Sequence, residues 1–158
     1  MASNTTGAGN TAVGSVSLDS NTVGANNTAL GYATLGVNTT GYHNTAVGST
    51  ALDANTTGAN CTAVGQTALG SNTTGNNNTA FGRNSLASNQ TGSHNTALGY
   101  QALHGTTSDH NTAVGYSALE DQNSAANSYN TAVGSQVGRN ITSGKYHTLM
   151  GYRAGQTM

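Results

Sequence analysis

The side chains most able to bind a metal ion are five histidines, and three of them share one place in a repeated segment. His43, His94 and His110 each directly precede a sequence of the type Asn-Thr-Ala. Imidazoles that recur at one place suggest a metal ligand set. The same place also holds other small or polar residues, namely Gly9, Asn26, Asn60, Asn77, Tyr129 and Tyr146. Because the position accepts such different side chains, we predict exposed or interface histidines and no metal site.

Tyrosines occupy a second recurring place, directly after the glycine of the same segment. They are Tyr32, Tyr100, Tyr116 and Tyr152. An exposed strip of aromatic rings is typical of surfaces that contact sugars or receptors. These four residues are therefore the candidate ligand contacts, and ordinary surface tyrosines covering turns are the alternative.

Other functional classes lack their usual sequence patterns. No carboxylate recurs with His or Ser at a spacing that suits acid–base or nucleophilic catalysis, so we predict no catalytic residues, no bound cofactor and no enzyme activity. Four basic residues in 158 do not supply a track for nucleic acid. The chain has neither a signal peptide pattern nor an apolar run that would insert into a membrane. Its single cysteine, Cys61, replaces the Asn of other repeats and is interpreted as a tolerated substitution.

The segment that carries these residues is Asn-Thr-Ala-Val-Gly, which recurs with small changes along the whole chain. It starts at residues 10, 27, 44, 61, 78, 95, 111, 130 and 147, in steps of 17 residues interrupted once by 16 and once by 19. A short fixed period is typical of a solenoid in which each repeat stacks on the previous one. Thr, Val and Asn are poor helix formers, and the segments between glycines are short. We therefore predict an all-β solenoid of about nine 17-residue coils, each with two short strands.

Alternation along the strand places Thr and Val on one face and Ala on the other. We predict that Val and Leu face inwards, with a core of Val13, Leu18, Leu30, Leu35, Val47, Leu52, Val64, Leu69, Phe81, Leu86, Leu98, Leu103, Val114 and Leu119. The outward row of methyl groups is then the candidate interface between copies, formed by Ala12, Ala29, Ala46, Ala63, Ala80, Ala97, Ala113 and Ala132. The opposite register, with Thr and Val outward and Ala buried, stays open because a one-residue slip inverts every face. Asparagines at 21, 38, 55 and 72 are expected to form an amide ladder along the axis.

The regularity changes after residue 119. Residues 1–119 are predicted to form regular coils, and residues 120–158 to form irregular terminal coils or a cap of the same solenoid. Glu120 to Tyr129 lengthens one coil, and Val137-Gly138 and Ala154-Gly155 then replace the leucine row. Since one thin stack buries little apolar area per residue, we also expect the chain to associate with further copies.

The repeat Asn-Thr-Ala-Val-Gly-x-x-Ala-Leu, followed by Asn-Thr-Thr-Gly, resembles the head repeats of YadA-like trimeric autotransporter adhesins. It is similar as well to repeats of phage tail fibres and of surface fibres with a C-terminal chaperone domain. The resemblance runs from Asn4 to about Gly155 and implies a left-handed β-roll and a side-by-side homotrimer. It also implies an extracellular, cell-surface or virion location. The repeat is longer than the 14 or so residues of the adhesin heads, and no anchor, stalk or chaperone segment is recognisable.

Three functions follow as hypotheses. The first is a structural or adhesive fibre segment that presents or forms a receptor-binding head, with a receptor, glycan or matrix component as partner. The second is an ice-binding solenoid, which would need Thr and its second neighbour to face outwards. The third is a carbohydrate-binding module that uses the tyrosine strip.

Overall fold

The protein folds into one long parallel β-sheet, in a computed structural model that describes residues 1–122 and 128–156. Each coil contributes one strand of three residues, and the described residues contain no helix. The strands are β1 (Thr11–Val13), β2 (Thr28–Leu30), β3 (Thr45–Val47), β4 (Thr62–Val64), β5 (Thr79–Phe81), β6 (Thr96–Leu98), β7 (Thr112–Val114), β8 (Thr131–Val133) and β9 (Thr148–Met150). Their order in the sheet is their order in the chain, which confirms the all-β solenoid.

Neighbouring strands pair in the same register throughout. Thr11 pairs with Thr28 and Ala12 with Ala29, and the pattern repeats up to Thr131 with Thr148. The step of 16 residues between β6 and β7 and the step of 19 between β7 and β8 leave this register unchanged. The turns therefore absorb the irregular steps. Equivalent residues of successive coils form columns in which neighbouring residues are about 4.8 Å apart.

The leucine segment is not a second strand, contrary to the prediction of two strands per coil. Leu18, Leu35 and Leu52 have φ angles near +50°, outside the region of extended chain. The segment nevertheless bonds coil to coil, because Leu18 N–H donates to Thr34 O at 3.1 Å and Leu35 N–H donates to Ala51 O at 3.1 Å. Each coil is thus one strand closed by hydrogen-bonded turns.

The structure corrects the predicted faces of the strands. The alanines from Ala29 to Ala132 are fully buried inside the coil, and Ala12 is half-buried, so none of the eight predicted interface alanines forms an outer surface. The apolar residue two positions after each Thr faces outwards instead, which removes seven members of the predicted core: Val13, Leu30, Val47, Val64, Phe81, Leu98 and Val114. The leucines of the second row, from Leu18 to Leu119, are fully buried. The interior of most regular coils already holds a leucine and two asparagines, so only a methyl group fits on the inner side of the strand.

The predicted amide ladder is present and buried. Asn38 Nδ2 donates to Asn21 Oδ1 at 2.8 Å, and Asn55 Nδ2 donates to Asn38 Oδ1 at 2.8 Å. Each Nδ2 also donates to the carbonyl of the glycine three residues later, such as Gly58 O at 3.0 Å from Asn55. The ladder runs from Asn4 to Asn89, where Thr106 follows in place of Asn and leaves Asn89 Oδ1 without a hydrogen bond among the described residues.

A second ladder, which the sequence analysis missed, uses the asparagine before each strand. Asn27 Oδ1 accepts a bond from Asn44 N–H at 3.0 Å, and Asn27 Nδ2 donates to Gly41 O at 2.8 Å. Equivalent bonds recur from Asn10 to Asn130 and end at His147 N–H. Because the ladders together bridge most pairs of neighbouring coils, they help to fix the register that the short strands alone define weakly.

Cys61 interrupts the second ladder. Its thiol is buried and its Sγ lies 3.4 Å from Gly75 O. The sulfur also faces Asn78 N–H, which would donate a hydrogen bond to the Oδ1 of an Asn at this position. Burial raises the pKa of the Cys61 thiol, so the neutral, unreactive form persists in the folded chain.

Replacing Cys61 with Asn is expected to stabilise the protein by about 1–2 kcal/mol, since it restores one acceptor for Asn78 N–H and one good donor for Gly75 O. Urea denaturation of the two proteins measures the difference. Cys61→Ala, which restores neither bond, is the control and is expected to be no more stable than the wild type. An unchanged midpoint for Cys61→Asn would mean that sulfur serves the ladder as well as an amide does.

The last two coils keep the sheet but exchange the sizes of their interior residues. Gly138 stands where earlier coils have Leu, Leu149 stands where they have Ala, and Ile141 stands where they have Asn. A Cβ on Gly138 would lie 2.8 Å from Leu119 Cδ2 and 3.0 Å from Leu149 Cδ1, so the larger Leu149 fills the space that Gly138 vacates. An ion pair between Arg139 Nε and Glu120 Oε2, 2.7 Å apart, joins this end to the regular coils. Residues 123–127 of the predicted insertion lie outside the described residues.

Candidate interaction surface

The outer side of the sheet is a continuous surface of two columns, which we call the Thr–apolar face. One column contains the first residue of each strand, always Thr, and the other contains the third, which is Val, Leu, Phe or Met. Large side chains in it are well exposed: Leu30 by 47%, Phe81 by 53% and Met150 by 76%. Nine rungs make the face about 40 Å long, and neither column contains a charged residue.

The threonine column of this face offers free hydroxyl groups. Within the described part of the chain, no hydrogen bond occupies the Oγ1 atoms of Thr28, Thr45 or their equivalents in the other strands. By contrast, the first threonine of several turns is bonded, since Thr22 Oγ1 donates to Thr39 O at 3.0 Å and Thr39 Oγ1 donates to Thr56 O at 3.0 Å. The free hydroxyl groups of the strands therefore lie next to the exposed apolar column.

The glycine that ends each strand lets successive coils approach closely. Gly48 has a φ of +129°, and a Cβ there would lie 2.6 Å from Gly65 O in the next coil. No side chain fits at this contact, which explains why Gly recurs in every coil from Gly14 to Gly134, and at Gly151 a φ of +111° favours Gly as well. A row of bare glycine backbone therefore separates the apolar column from the tyrosine column.

Only two of the four predicted contact tyrosines are brought together. The rings of Tyr100 and Tyr116 are stacked, with centroids 5.5 Å apart and planes 10° apart, and the guanidinium of Arg83 lies 5.9 Å from the Tyr100 centroid. Tyr32 stands between coils with serine at this position, and Tyr152 packs against Arg153 at 5.0 Å. Sugars stack on open ring faces, and here Tyr100 and Tyr116 turn one face of each ring towards the other. The stacked pair of Tyr100 and Tyr116 therefore presents mainly ring edges and hydroxyl groups to a ligand.

A longer aromatic column runs along the other end of the strands. His94 and His110 stack with centroids 4.9 Å apart and planes 2° apart, Tyr129 stacks on His110 at 4.7 Å, and Tyr146 stacks on Tyr129 at 5.5 Å. The ring of His43 instead lies against that of Tyr42, edge to face with centroids 5.2 Å apart. The residues of this column adopt left-handed backbone conformations, with φ of +59° at His94 and +61° at His110, so their side chains leave successive coils in the same direction.

The Asp53 carboxyl lies in a turn outside these columns. Desolvation raises the pKa of the Asp53 carboxyl, and a hydrogen bond from Gly36 N–H offsets part of this rise. No cleft or cavity opens among the described residues, and no three of their His, Cys, Asp and Glu side chains cluster as metal ligands. In that same part of the chain, no helix has the length and apolar character needed to cross a membrane.

The outward apolar column is the functional candidate that the sequence analysis placed in the core. A signal for its true position lies in the side-chain sizes. The inward position is Ala in eight coils of nine, as a confined space requires, whereas the outward position varies from Val to Phe.

Comparisons with family models, with curated proteins and with solved structures found no match for this chain.

Proposed function

We propose that the chain is a rigid structural segment of a fibre and that it associates with further copies of itself through the Thr–apolar face. The observation that carries this proposal is the exposed apolar column of nine rungs, from Val13 to Met150. Monomeric proteins rarely leave so long a row of apolar side chains in water, and such rows typically mark contacts between chains. The face is uncharged, so a second copy meets no like-charge repulsion there.

Rigidity is the second support. The in-register sheet connects every coil to its neighbours and two amide ladders reinforce most of these connections, so bending requires hydrogen bonds to break along the axis. A rod of this kind suits a spacer that holds a receptor-binding part away from a surface. The trimeric state, the adhesive role and the extracellular or virion location belong to the proposal through the resemblance of the repeats to adhesin and tail-fibre repeats.

Charged substitutions in the middle of the face test the association. We expect the wild-type chain to sediment as an oligomer, and Val64→Glu/Leu98→Glu to sediment as a folded monomer, because both outward side chains would be buried between copies. Analytical ultracentrifugation gives the mass, and far-ultraviolet circular dichroism checks the fold. The control is Thr57→Glu/Thr74→Glu, two exposed turn threonines outside the face, which should leave the oligomer intact. A monomeric wild type at high micromolar concentration would overturn the proposal.

Ice binding is a second candidate, and one observation favours it. Thr and its second neighbour face outwards, which is the register that an ice-binding sheet needs. Against it, the second column mixes Val, Leu, Phe and Met, so the face is not flat at the scale of a water lattice.

We therefore expect no thermal hysteresis from the wild-type protein in a nanolitre osmometer. Hysteresis that disappears in Thr62→Leu/Thr79→Leu, and persists in Thr57→Leu/Thr74→Leu, would rank ice binding above the fibre proposal. The first pair changes two neighbouring rungs of the outward threonine column, and the second pair changes exposed threonines of the turns.

A further inference from the structure

Two tyrosine rings are held face to face on the surface, and the function proposed above makes no use of them. Tyr100 and Tyr116 occupy the same place in the coils of β6 and β7, with ring centroids 5.5 Å apart and ring planes 10° from parallel. Tyr100 is 36% exposed and Tyr116 is 50% exposed, so electrons leave both rings readily to an oxidant in solution. Their outer neighbours in the column are Arg83 and Ser135, which carry no phenol, so each ring has one possible coupling partner in the column.

We propose that Tyr100 and Tyr116 are a site of oxidative cross-linking, at which a one-electron oxidant joins the two rings as dityrosine. Each phenol first loses one electron and one proton and becomes a neutral phenoxyl radical. The two radicals then form one carbon–carbon bond between the ring positions next to their oxygens. The hydrogen on each bonded carbon leaves as a proton while the ring oxygen takes one up, which restores both phenols. Hydrogen peroxide, acting through a haem peroxidase, accepts the two electrons and two protons and becomes two molecules of water.

The stacked orientation of the rings suits this bond. The unpaired electron of a phenoxyl radical occupies p orbitals perpendicular to the ring, so the new bond forms along the stacking direction. Because the two rings are nearly parallel, these orbitals point at each other across the pair. Small rotations of the exposed side chains about χ1 and χ2 bring the ring carbons into contact. Two reactants held side by side in this way react far faster than two free ones.

The bond would join two coils that the first amide ladder does not connect. That ladder ends at Asn89, and the coils of β6 and β7 have Thr106 and Gln122 in place of its asparagines. A covalent bond between these coils closes a loop in the unfolded chain, which favours the folded state. Oxidation therefore hardens the rod at the point where its network of side-chain amides is reduced.

The same column contains matched controls. Tyr32 and Tyr152 have no tyrosine neighbour in the column among the described residues. Tyrosine, serine and glutamine all occur naturally at this place, so exchanges among them are expected to leave the fold intact. A separate stacked pair, Tyr129 and Tyr146, has centroids 5.5 Å apart and would form its own dityrosine, so the test is made in a Tyr129→Phe background.

Treatment of the full chain with a haem peroxidase and hydrogen peroxide tests the site. We expect the mass of the single chain to fall by two hydrogen atoms and dityrosine fluorescence to appear. Both changes should be about tenfold weaker or less in Tyr100→Phe and in Tyr116→Phe, because each variant leaves the other ring without a partner beside it. Tyr32→Phe should alter neither. Denaturing gel electrophoresis separates chains that are linked internally from chains that are linked to each other.

Two gain-of-function variants complete the test. Ser49→Tyr places a ring beside Tyr32 and should about double the dityrosine within each chain, whereas Gln66→Tyr places a ring between Ser49 and Arg83 and should add none. The proposal is overturned if Tyr100→Phe keeps the parent yield, if dityrosine forms only between chains, or if Gln66→Tyr gains as much as Ser49→Tyr.

Discussion

Replacing Asn55 with alanine is expected to lower the free energy of unfolding by about 3–5 kcal/mol, the cost of leaving several buried polar groups unpaired. Asn55 Nδ2 donates to Asn38 Oδ1 at 2.8 Å and to Gly58 O at 3.0 Å, and Asn55 Oδ1 accepts a bond from Asn72 Nδ2 at 2.9 Å. The substitution removes all three bonds in the middle of the rod, where no water reaches the remaining groups. Urea denaturation followed by circular dichroism measures the loss.

The same substitution at the end of the ladder is the matched control. Asn4 is exposed, so water replaces its bonds with Asn21 and Gly7, and Asn4→Ala should cost less than about 1 kcal/mol. If the two variants were equally stable, the ladder would be incidental to stability and the coils would be held by the sheet and the leucines alone.

Both the coil period and the first amide ladder could be predicted from the sequence because they depend on recurrence alone. Nine Thr-x-apolar segments at a nearly constant step define columns, whatever direction the side chains face. An asparagine that recurs next to a Gly-containing turn then predicts a ladder, and the bonds from Asn21 to Asn72 confirm it.

The direction of the faces could not be predicted in the same way. Thr-Ala-Val is uncharged on both sides, so burial of either face satisfies a simple hydrophobic pattern. What decides the register is volume: Leu52, Asn38 and Asn44 are all fully buried, and the space left inside the strand takes a methyl group. The candidate interface therefore moved from the alanines to Val47, Phe81 and their equivalents.

The terminal coils show a further limit of sequence reasoning. Gly138, Ile141 and Leu149 each depart from the repeat, and taken one at a time they suggest irregular structure. Together they keep the interior filled, since Leu149 enters the space that Gly138 leaves, and β8 and β9 pair in register as the earlier strands do. Such compensation depends on contacts between residues eleven positions apart, which composition and period do not reveal.

The pair of Gly138 and Leu149 suggests how the protein responds when an interior alanine is replaced by a larger residue. Ala63→Leu is expected to destabilise the protein by about 3 kcal/mol, because Ala63 is fully buried and the residue that corresponds to Gly138 is the fully buried Leu52. The outward neighbour provides the contrast: in the unassociated chain Val64→Ala should cost less than about 1 kcal/mol, since its side chain is half in solvent there. A larger loss for Val64→Ala than for Ala63→Leu would reverse the assignment of the two faces.

Combining Ala63→Leu with Leu52→Gly should recover part of the loss, because the two positions correspond to Leu149 and Gly138 at the C-terminal end. Glycine also removes the strain of leucine at Leu52, whose φ is +51°. In a double-mutant cycle we expect a favourable coupling of about 2 kcal/mol between the two changes, measured by urea denaturation of all four proteins. Additive losses would mean that the interior relaxes around each substitution separately, and that the exchange of sizes in the last coils depends on Ile141 or on the nearby end of the rod.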